Sequence, residues 1–176
     1  MSSKFDRIDT QTIFDGKFFG VERGTFRHED GEIAERELVT HPGAVGVVVL
    51  DGDRLWLVRQ PREAVGVPDL LEIVAGKLDE VGEDPLATAK RELAEEIGKA
   101  ASRWERITSY VSSAGMSDEV VHLFHATGLS DRDAASDENE RIEIVRWPLD
   151  DLDGALAATC DAKTIIGLQW LQLDRS

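Results

Sequence analysis

Strand signals outnumber helix signals along this chain of 176 residues, and that imbalance limits the architectures open to it. Residues 11–40 alternate in short bursts (TIFDGKFFGVERGTF, then EIAERELV) around the turns Asp15-Gly16 and Asp30-Gly31, which predicts two or three antiparallel strands. Residues 44–50 are a nearly continuous β-branched run. Asp51-Gly52-Asp53 then turns the chain into 54–60, where Leu55, Leu57 and Arg59 alternate with Trp56, Val58 and Gln60, so the pair reads as a hairpin. Residues 70–75 read as a short buried strand, and 106–111, 120–126 and 141–147 as three more. Helices are expected at 150–158 and 162–173, and most clearly after Asp84-Pro85, an N-cap acceptor followed by proline at the first helical position, with Gly98 as the stop. The polar, acidic stretch 130–139 is expected to be a loop. Many strands with few intervening helices predict an α/β (α+β) sandwich around a mixed sheet rather than a doubly wound parallel sheet. The strands of residues 1–40 would form a small N-terminal antiparallel sheet ahead of a main domain spanning 41–176.

On a helical wheel at about 100° per residue, Leu93 and Ile97 fall about 20° to either side of Leu86, with Ala89 at the border, and that stripe faces the core. Glu92, Glu95 and Glu96 fall on a separate face. Their spacing of i, i+3, i+4 makes the carboxylates neighbours on successive turns, where they repel unless a cation sits among them. Hard divalent ions such as Mg²⁺ favour carboxylate oxygen. Taken alone, three glutamates at this spacing are more often an ordinary solvated face, with Arg91 an ordinary i+4 partner of Glu95.

Charge narrows the classes of ligand. Lys and Arg number 20 and Asp and Glu 35, a formal charge of −15, which argues against a general nucleic-acid binder that needs a basic face. The same balance would repel an anionic substrate unless metal and a few arginines reverse the field locally. The single cysteine, Cys160, excludes an internal disulfide framework and a cysteine zinc cluster, and is read as a small buried residue. No apolar run approaches the roughly 18–20 residues of a membrane span, and the N-terminus lacks the apolar stretch of a signal peptide, so a cytoplasmic location is expected.

The segment GKLDEVGEDPLATAKRELAEEIG, residues 76–98, resembles the signature of the Nudix hydrolases: glycine, five residues, glutamate, seven residues, then Arg-Glu-apolar-any-Glu-Glu-any-Gly-apolar. Gly76 matches the first glycine, Glu83 the first glutamate, and Arg91 through Gly98 the remainder. The chain departs from the pattern twice. Six residues separate Gly76 from Glu83, and Lys99 stands at the last apolar position; the extra residue precedes Asp84-Pro85 and leaves the register of the helical glutamates intact. The resemblance implies a loop and helix beside a mixed sheet, the Nudix α/β/α sandwich, binding Mg²⁺ or Mn²⁺. Glu92 and Glu96 would be the main ligands, Glu95 a contributor, and Arg91 would orient neighbouring carboxylates. Metal there would act as a Lewis acid and generate the hydroxide nucleophile.

Other segments are similar to the ADP-ribose pyrophosphatases within that family: LLEIVAGKLD (70–79), SSAGMSDE (112–119), with Met116 where an aromatic is common, DENERIEI (137–144), and His41-Pro42-Gly43-Ala44 after the N-terminal strands. That likeness implies a further metal ligand in the Ala75 carbonyl and a base for the attacking water in the acidic loop, Glu138 or Glu140, the latter also a candidate ligand. It also implies a homodimer built through the small sheet. Arg59 and Arg62 are candidate phosphate donors, since arginine presents planar paired N–H groups, or else partners of Glu63 or Asp69. Glu72 is a candidate contact to base or ribose, or a strand residue facing solvent. His122 and His125, three apart on a strand, fall on opposite faces and are read as structural. The function expected is hydrolysis of a nucleoside diphosphate sugar, foremost ADP-ribose to AMP and ribose 5-phosphate, with other nucleotides or non-catalytic nucleotide sensing as alternatives. The partner is then a small nucleotide, with neither nucleic acid nor membrane.

Overall fold

The computed structural model describes residues 4–78, 82–133 and 141–175. The chain divides into two units, one made of the segment through Gly43 with Tyr110–Val120, the other of Ala44–Ser109 and the chain from Val121 onward. In the first, β1 (Phe5–Asp15), β2 (Gly20–His28) and β3 (Ile33–Thr40) form an antiparallel sheet in that order. The turn between β2 and β3 takes Gly31 to φ 86°, the left-handed region that glycine enters without steric cost. The segment 112–119 is tied to β3 through its backbone: Val39 N donates to the Met116 carbonyl at 2.7 Å and Asp118 N to the Val39 carbonyl at 3.2 Å.

The second unit is built on a seven-stranded mixed sheet. Its strands are β4 (Ala44–Asp51), β5 (Arg54–Arg62), β6 (Val67–Glu72), β7 (Val74–Lys77), β8 (Lys99–Val111), β9 (Val120–Asp131) and β10 (Glu143–Pro148). The path runs β10-β5-β4-β9-β8, with β6 on β5 and β7 on β4; β4 and β9 are parallel, and the remaining registered pairs are antiparallel. The expected hairpin is present, with Asp51 opposite Arg54 and Gly52 at φ 61°.

Strand β4 shows why this is a sandwich. Val45, Val47 and Val49 pack in one cluster with Ala89, Leu93 and Ile97 of helix α1 (Pro85–Ile97). Val48 points the other way, where a Cβ on Gly167 of helix α3 (Ala162–Asp174) would lie 2.8 Å from its methyl. Successive strand residues face opposite sides, so helices cover both faces of β4. That is also why 55–58 are all buried instead of alternating between core and solvent. A short helix α2 (Leu152–Ala157) precedes α3, and no helix among the described residues is long and apolar enough to cross a membrane.

The structure revises three local expectations. The strand read at 70–75 is two strands, broken at Ile73, whose N–H is given to the Thr164 hydroxyl at 2.9 Å rather than to a neighbouring strand. The strand read at 106–111 begins at Lys99, directly after the helix stop. Cys160 is exposed rather than buried, because it lies in the short connection ahead of the α3 N-cap Asp161.

Candidate active site

Helix α1 begins and ends as its sequence demands. The Asp84 side chain accepts from Leu86 N at 3.1 Å, and Gly98, at φ 65°, returns its N–H to the Ala94 carbonyl at 3.0 Å. The burial of Leu93 and Ile97 against the sheet turns the glutamate face toward β7 and the start of the glycine loop. Glu96 is 8 % exposed, and its carboxylate accepts from Ala75 N at 3.1 Å. A buried charge held by a strand amide is not a solvated face, so that alternative fails for Glu96.

The N–H and C=O of one residue in an extended strand point the same way. The Ala75 carbonyl therefore lies on the strand edge that faces Glu96. Two residues on, the Lys77 carbonyl accepts from Arg91 at 3.5 Å, which places the same edge of β7 against α1. Gly76 lies between them for a steric reason: a Cβ there would come within 2.0 Å of the Glu92 carboxyl carbon. Arg91 Nη1 lies 2.9 Å from Glu92 and 3.0 Å from Glu95, so one guanidinium neutralises part of the carboxylate cluster. Glu96 thus meets Ala75, Glu92 meets Gly76, and Arg91 joins Glu92 to Glu95.

The substrate candidates separate. Arg62 and Glu72 form a bidentate pair at 2.6 and 2.9 Å. Glu72 is completely buried, and neither Glu63 nor Asp69 is the partner of Arg62. Glu72 thus faces the interior rather than solvent. Burial alone would raise its pKa, but the hydrogen bonds from Arg62 and the ammonium of Lys163 outweigh it and hold the carboxyl below its ordinary value. The Arg62 pKa is raised, first by the bond to Glu72 and, through space, also by Glu96, so its charge is felt at that carboxylate of α1. Pro61, which has no N–H to donate, sits at an irregularity in the β5–β6 ladder, where the strand bends ahead of Arg62. Arg59 is occupied elsewhere, donating to the Asp69 carbonyl at 3.2 Å.

Glu138 and Glu140 lie outside the described residues. His122 bonds Ser109 at 2.7 Å, and the His125 ring lies 5.1 Å from that of Trp170 at a tilt of 58°. Lys99, the second departure from the box, makes a cation–π contact instead of an apolar one: its ammonium lies 5.1 Å from the centre of the buried Trp56 ring while pairing with Asp131.

Residues 40–168 match the NUDIX domain. The chain belongs to the Nudix family. Among its relatives are the ADP-ribose pyrophosphatase of Bacillus subtilis, 37 % identical over 94 % of this chain and 91 % of that protein, and the ADP-ribose pyrophosphatase of Mycobacterium tuberculosis, 40 % identical over 71 % of this chain and 60 % of that one. A methanol dehydrogenase activator from Bacillus methanolicus is 36 % identical over 96 % and 93 %. In three dimensions the chain resembles an ADP compounds hydrolase with a TM-score of 0.84 at 22 % identity, covering 97 % of this chain and 94 % of that one, a likeness of fold. The family, its fold and the likeness to ADP-ribose pyrophosphatases expected from the sequence are borne out.

The donor set of this Nudix site suits a hard divalent cation, since Glu92, Glu95, Glu96 and the Ala75 carbonyl offer oxygen alone. As arranged here, with Arg91 bridging Glu92 and Glu95, no three His, Cys, Asp or Glu among the described residues converge on a metal position. Sequence reasoning missed Thr159, Lys163 and Thr164, which hold Leu71, Glu72 and Ile73 ahead of the glycine loop, and Asp161, which holds Lys163 and Thr164. The only local signal was the N-cap pattern Asp161 to Thr164, with Thr164 N donating to Asp161 at 3.0 Å.

Proposed function

We propose that this protein hydrolyses the diphosphate bond of a nucleoside diphosphate sugar, with ADP-ribose converted to AMP and ribose 5-phosphate. The observation that supports this most is the placement of Glu96 and Glu92 against Ala75 and Gly76 of β7, with Arg91 joining Glu92 to Glu95 and the Arg62 charge acting on Glu96. Mg²⁺ or Mn²⁺ would be held by these glutamates and the Ala75 carbonyl, and would supply charge neutralisation of the diphosphate and a more acidic water. Arg62 presents its unspent N–H donors to the outer phosphate oxygens, with Arg59 as a second donor if it leaves Asp69. Arg91 keeps Glu92 and Glu95 oriented. Glu138 or Glu140 takes the proton of the attacking water. The water oxygen bonds to one phosphorus, the bond from that phosphorus to the bridging oxygen breaks, and the bridge leaves with the other phosphate. Such a step depends on alignment and electrostatics.

A homodimer formed through the first unit fits its surface. Along β1, Phe5, Ile8, Ile13 and Phe14 are each 42–51 % exposed. Light scattering at the monomer mass overturns that assembly. For the reaction, ADP-ribose with Mg²⁺ is expected to yield AMP and ribose 5-phosphate, and Glu96→Gln to lower turnover by at least about a hundredfold with binding of substrate retained. Absence of turnover with any nucleoside diphosphate sugar under Mg²⁺ and Mn²⁺ overturns the assignment.

A further inference from the structure

Three consecutive residues ahead of the glycine loop, the end of β6 and the break at Ile73, are fastened by one short segment about ninety positions later in the chain. The Thr159 hydroxyl donates to the Leu71 carbonyl at 2.7 Å, the Lys163 ammonium donates to the Glu72 carboxylate, and the Thr164 hydroxyl accepts from Ile73 N at 2.9 Å. Lys163 also donates to Asp161 at 2.9 Å, and its side chain is only 15 % exposed. Glu72, with no exposed surface, is therefore shared by two cations that come from opposite directions in the chain.

We infer that Lys163 is a positioning residue for diphosphate binding, acting through Glu72 on the Arg62 guanidinium. The inference rests on the reading of Arg62 as a phosphate donor. Of the five N–H donors of arginine, Arg62 gives two to Glu72, and its side chain remains 41 % exposed, so three are left to face a ligand. Whether they face it in a fixed orientation depends on Glu72 staying where it is, and Glu72 is a buried charge whose second oxygen is held by Lys163. The four formal charges of Arg62, Lys163, Glu72 and Asp161 sum to zero. Without Lys163 they sum to −1: Arg62 must then neutralise the buried carboxylate alone, and the excess negative charge faces an anionic substrate. Lys163 cannot replace Arg62 as the ligand donor, because its ammonium is occupied by two carboxylates and largely covered.

The test is a double-variant cycle on Lys163→Met and Arg62→Ala, read both as kcat and KM for ADP-ribose and as the calorimetric Kd for ADP in Mg²⁺ buffer. Lys163→Met is expected to raise KM and the ADP Kd about tenfold with kcat within about twofold, and to add less than about twofold in the Arg62→Ala background, the non-additivity of residues acting as one unit. Lys163→Arg, which keeps charge and donors, is expected to recover most of the loss. Additive effects of the two substitutions, or a lowered melting temperature with unchanged KM and Kd, overturn the inference. The two readings fail separately. A wild type that binds ADP with the Arg62–Lys163 coupling yet leaves ADP-ribose intact overturns the substrate and supports the positioning role. A wild type that cleaves ADP-ribose while the cycle is additive does the reverse. Absence of both ADP binding and turnover overturns both.

Discussion

Gly76→Ala separates the site from the fold more cleanly than any substitution of a charged residue. Its Cβ would lie 2.0 Å from the Glu92 carboxyl carbon, 2.1 Å from Oε1 and 2.4 Å from Cγ. Carbon atoms rest at about 3.5–4.0 Å, so the carboxylate must retreat by about 1.5 Å or more. Gly76 is not among the glycines in the left-handed region, so alanine fits its backbone. Restricting the unfolded chain then favours the variant by about 0.4–1 kcal/mol. Displacing Glu92 from its rotamer costs about 0.5–1.5 kcal/mol. The two nearly cancel, and the melting temperature is expected to stay within about 4 °C of the wild type. Activity has no such cancellation, because a 1 Å misplacement of a catalytic group costs on the order of a hundredfold. The assay is AMP release from ADP-ribose with Mg²⁺ beside thermal unfolding of the same preparation. A variant that turns over at the wild-type rate refutes the claim that Gly76 exists to admit Glu92. One that loses activity together with more than about 10 °C of melting temperature refutes the claim that the fold tolerates the exchange.

Thr164→Val removes the acceptor of Ile73 N and a donor to Asp161 at 2.5 Å while keeping the shape of a fully buried side chain. With an amide left unsatisfied inside, urea unfolding is expected to show a loss of about 1–3 kcal/mol, and a loss within experimental error would mean that the strand break at Ile73 is held by something else. Burial lowers the pKa of His125, against the opposing charges of Glu105 and Asp174, and its Nε2 has no partner among the described residues. The folded protein thus favours the neutral ring, so the stability it contributes is complete above the unfolded imidazole value of about 6.5 and is lost as pH falls through that value toward the folded one. His122 is lowered by burial and by Arg106 in the same sense. The melting temperature is expected to fall between pH 7 and pH 5, less steeply in His125→Phe, and an identical slope in that variant removes His125 from the account.

The elements that could be read from sequence were those with local causes. Asp84-Pro85 and Gly98 delimit α1 because a cap is made by residues two to four positions away, and the glutamate face followed from helical spacing alone. The Asp51-Gly52-Asp53 turn fixed the β4–β5 hairpin for the same reason. Glu72 was not legible: it read as a contact to base or ribose or as a strand residue facing solvent, while its partners are Arg62 across the β5–β6 ladder and Lys163, 91 residues away. The break at Ile73 escaped because its cause, Thr164, is equally remote. Of the two arginines, Arg59 does lie 3.8 Å from Asp69, but Arg62 does not follow the local alternative. The nearby acids Glu63 and Asp69 looked like partners, and the fold chose a buried carboxylate on β6 over both.

The chain's charge of −15 posed the question of how an anion could bind at all, and the local sums answer it. The Arg62, Lys163, Glu72, Asp161 group is neutral, so it can present N–H donors without adding repulsion. The helix group is not neutral: Arg91 at +1 against Glu92, Glu95 and Glu96 at −3 leaves −2. That deficit equals the charge of one divalent cation, and it sits where the carboxylates are half-buried to buried and hydration compensates them least. An anionic diphosphate is therefore repelled by the helix until a cation occupies it, whereas the Arg62 group, neutral in sum, adds no such repulsion. Metal should accordingly govern affinity more than the arginines do, with ADP binding weakened far more by chelation than by Arg62→Ala. The opposite ranking would place the diphosphate away from the glutamates.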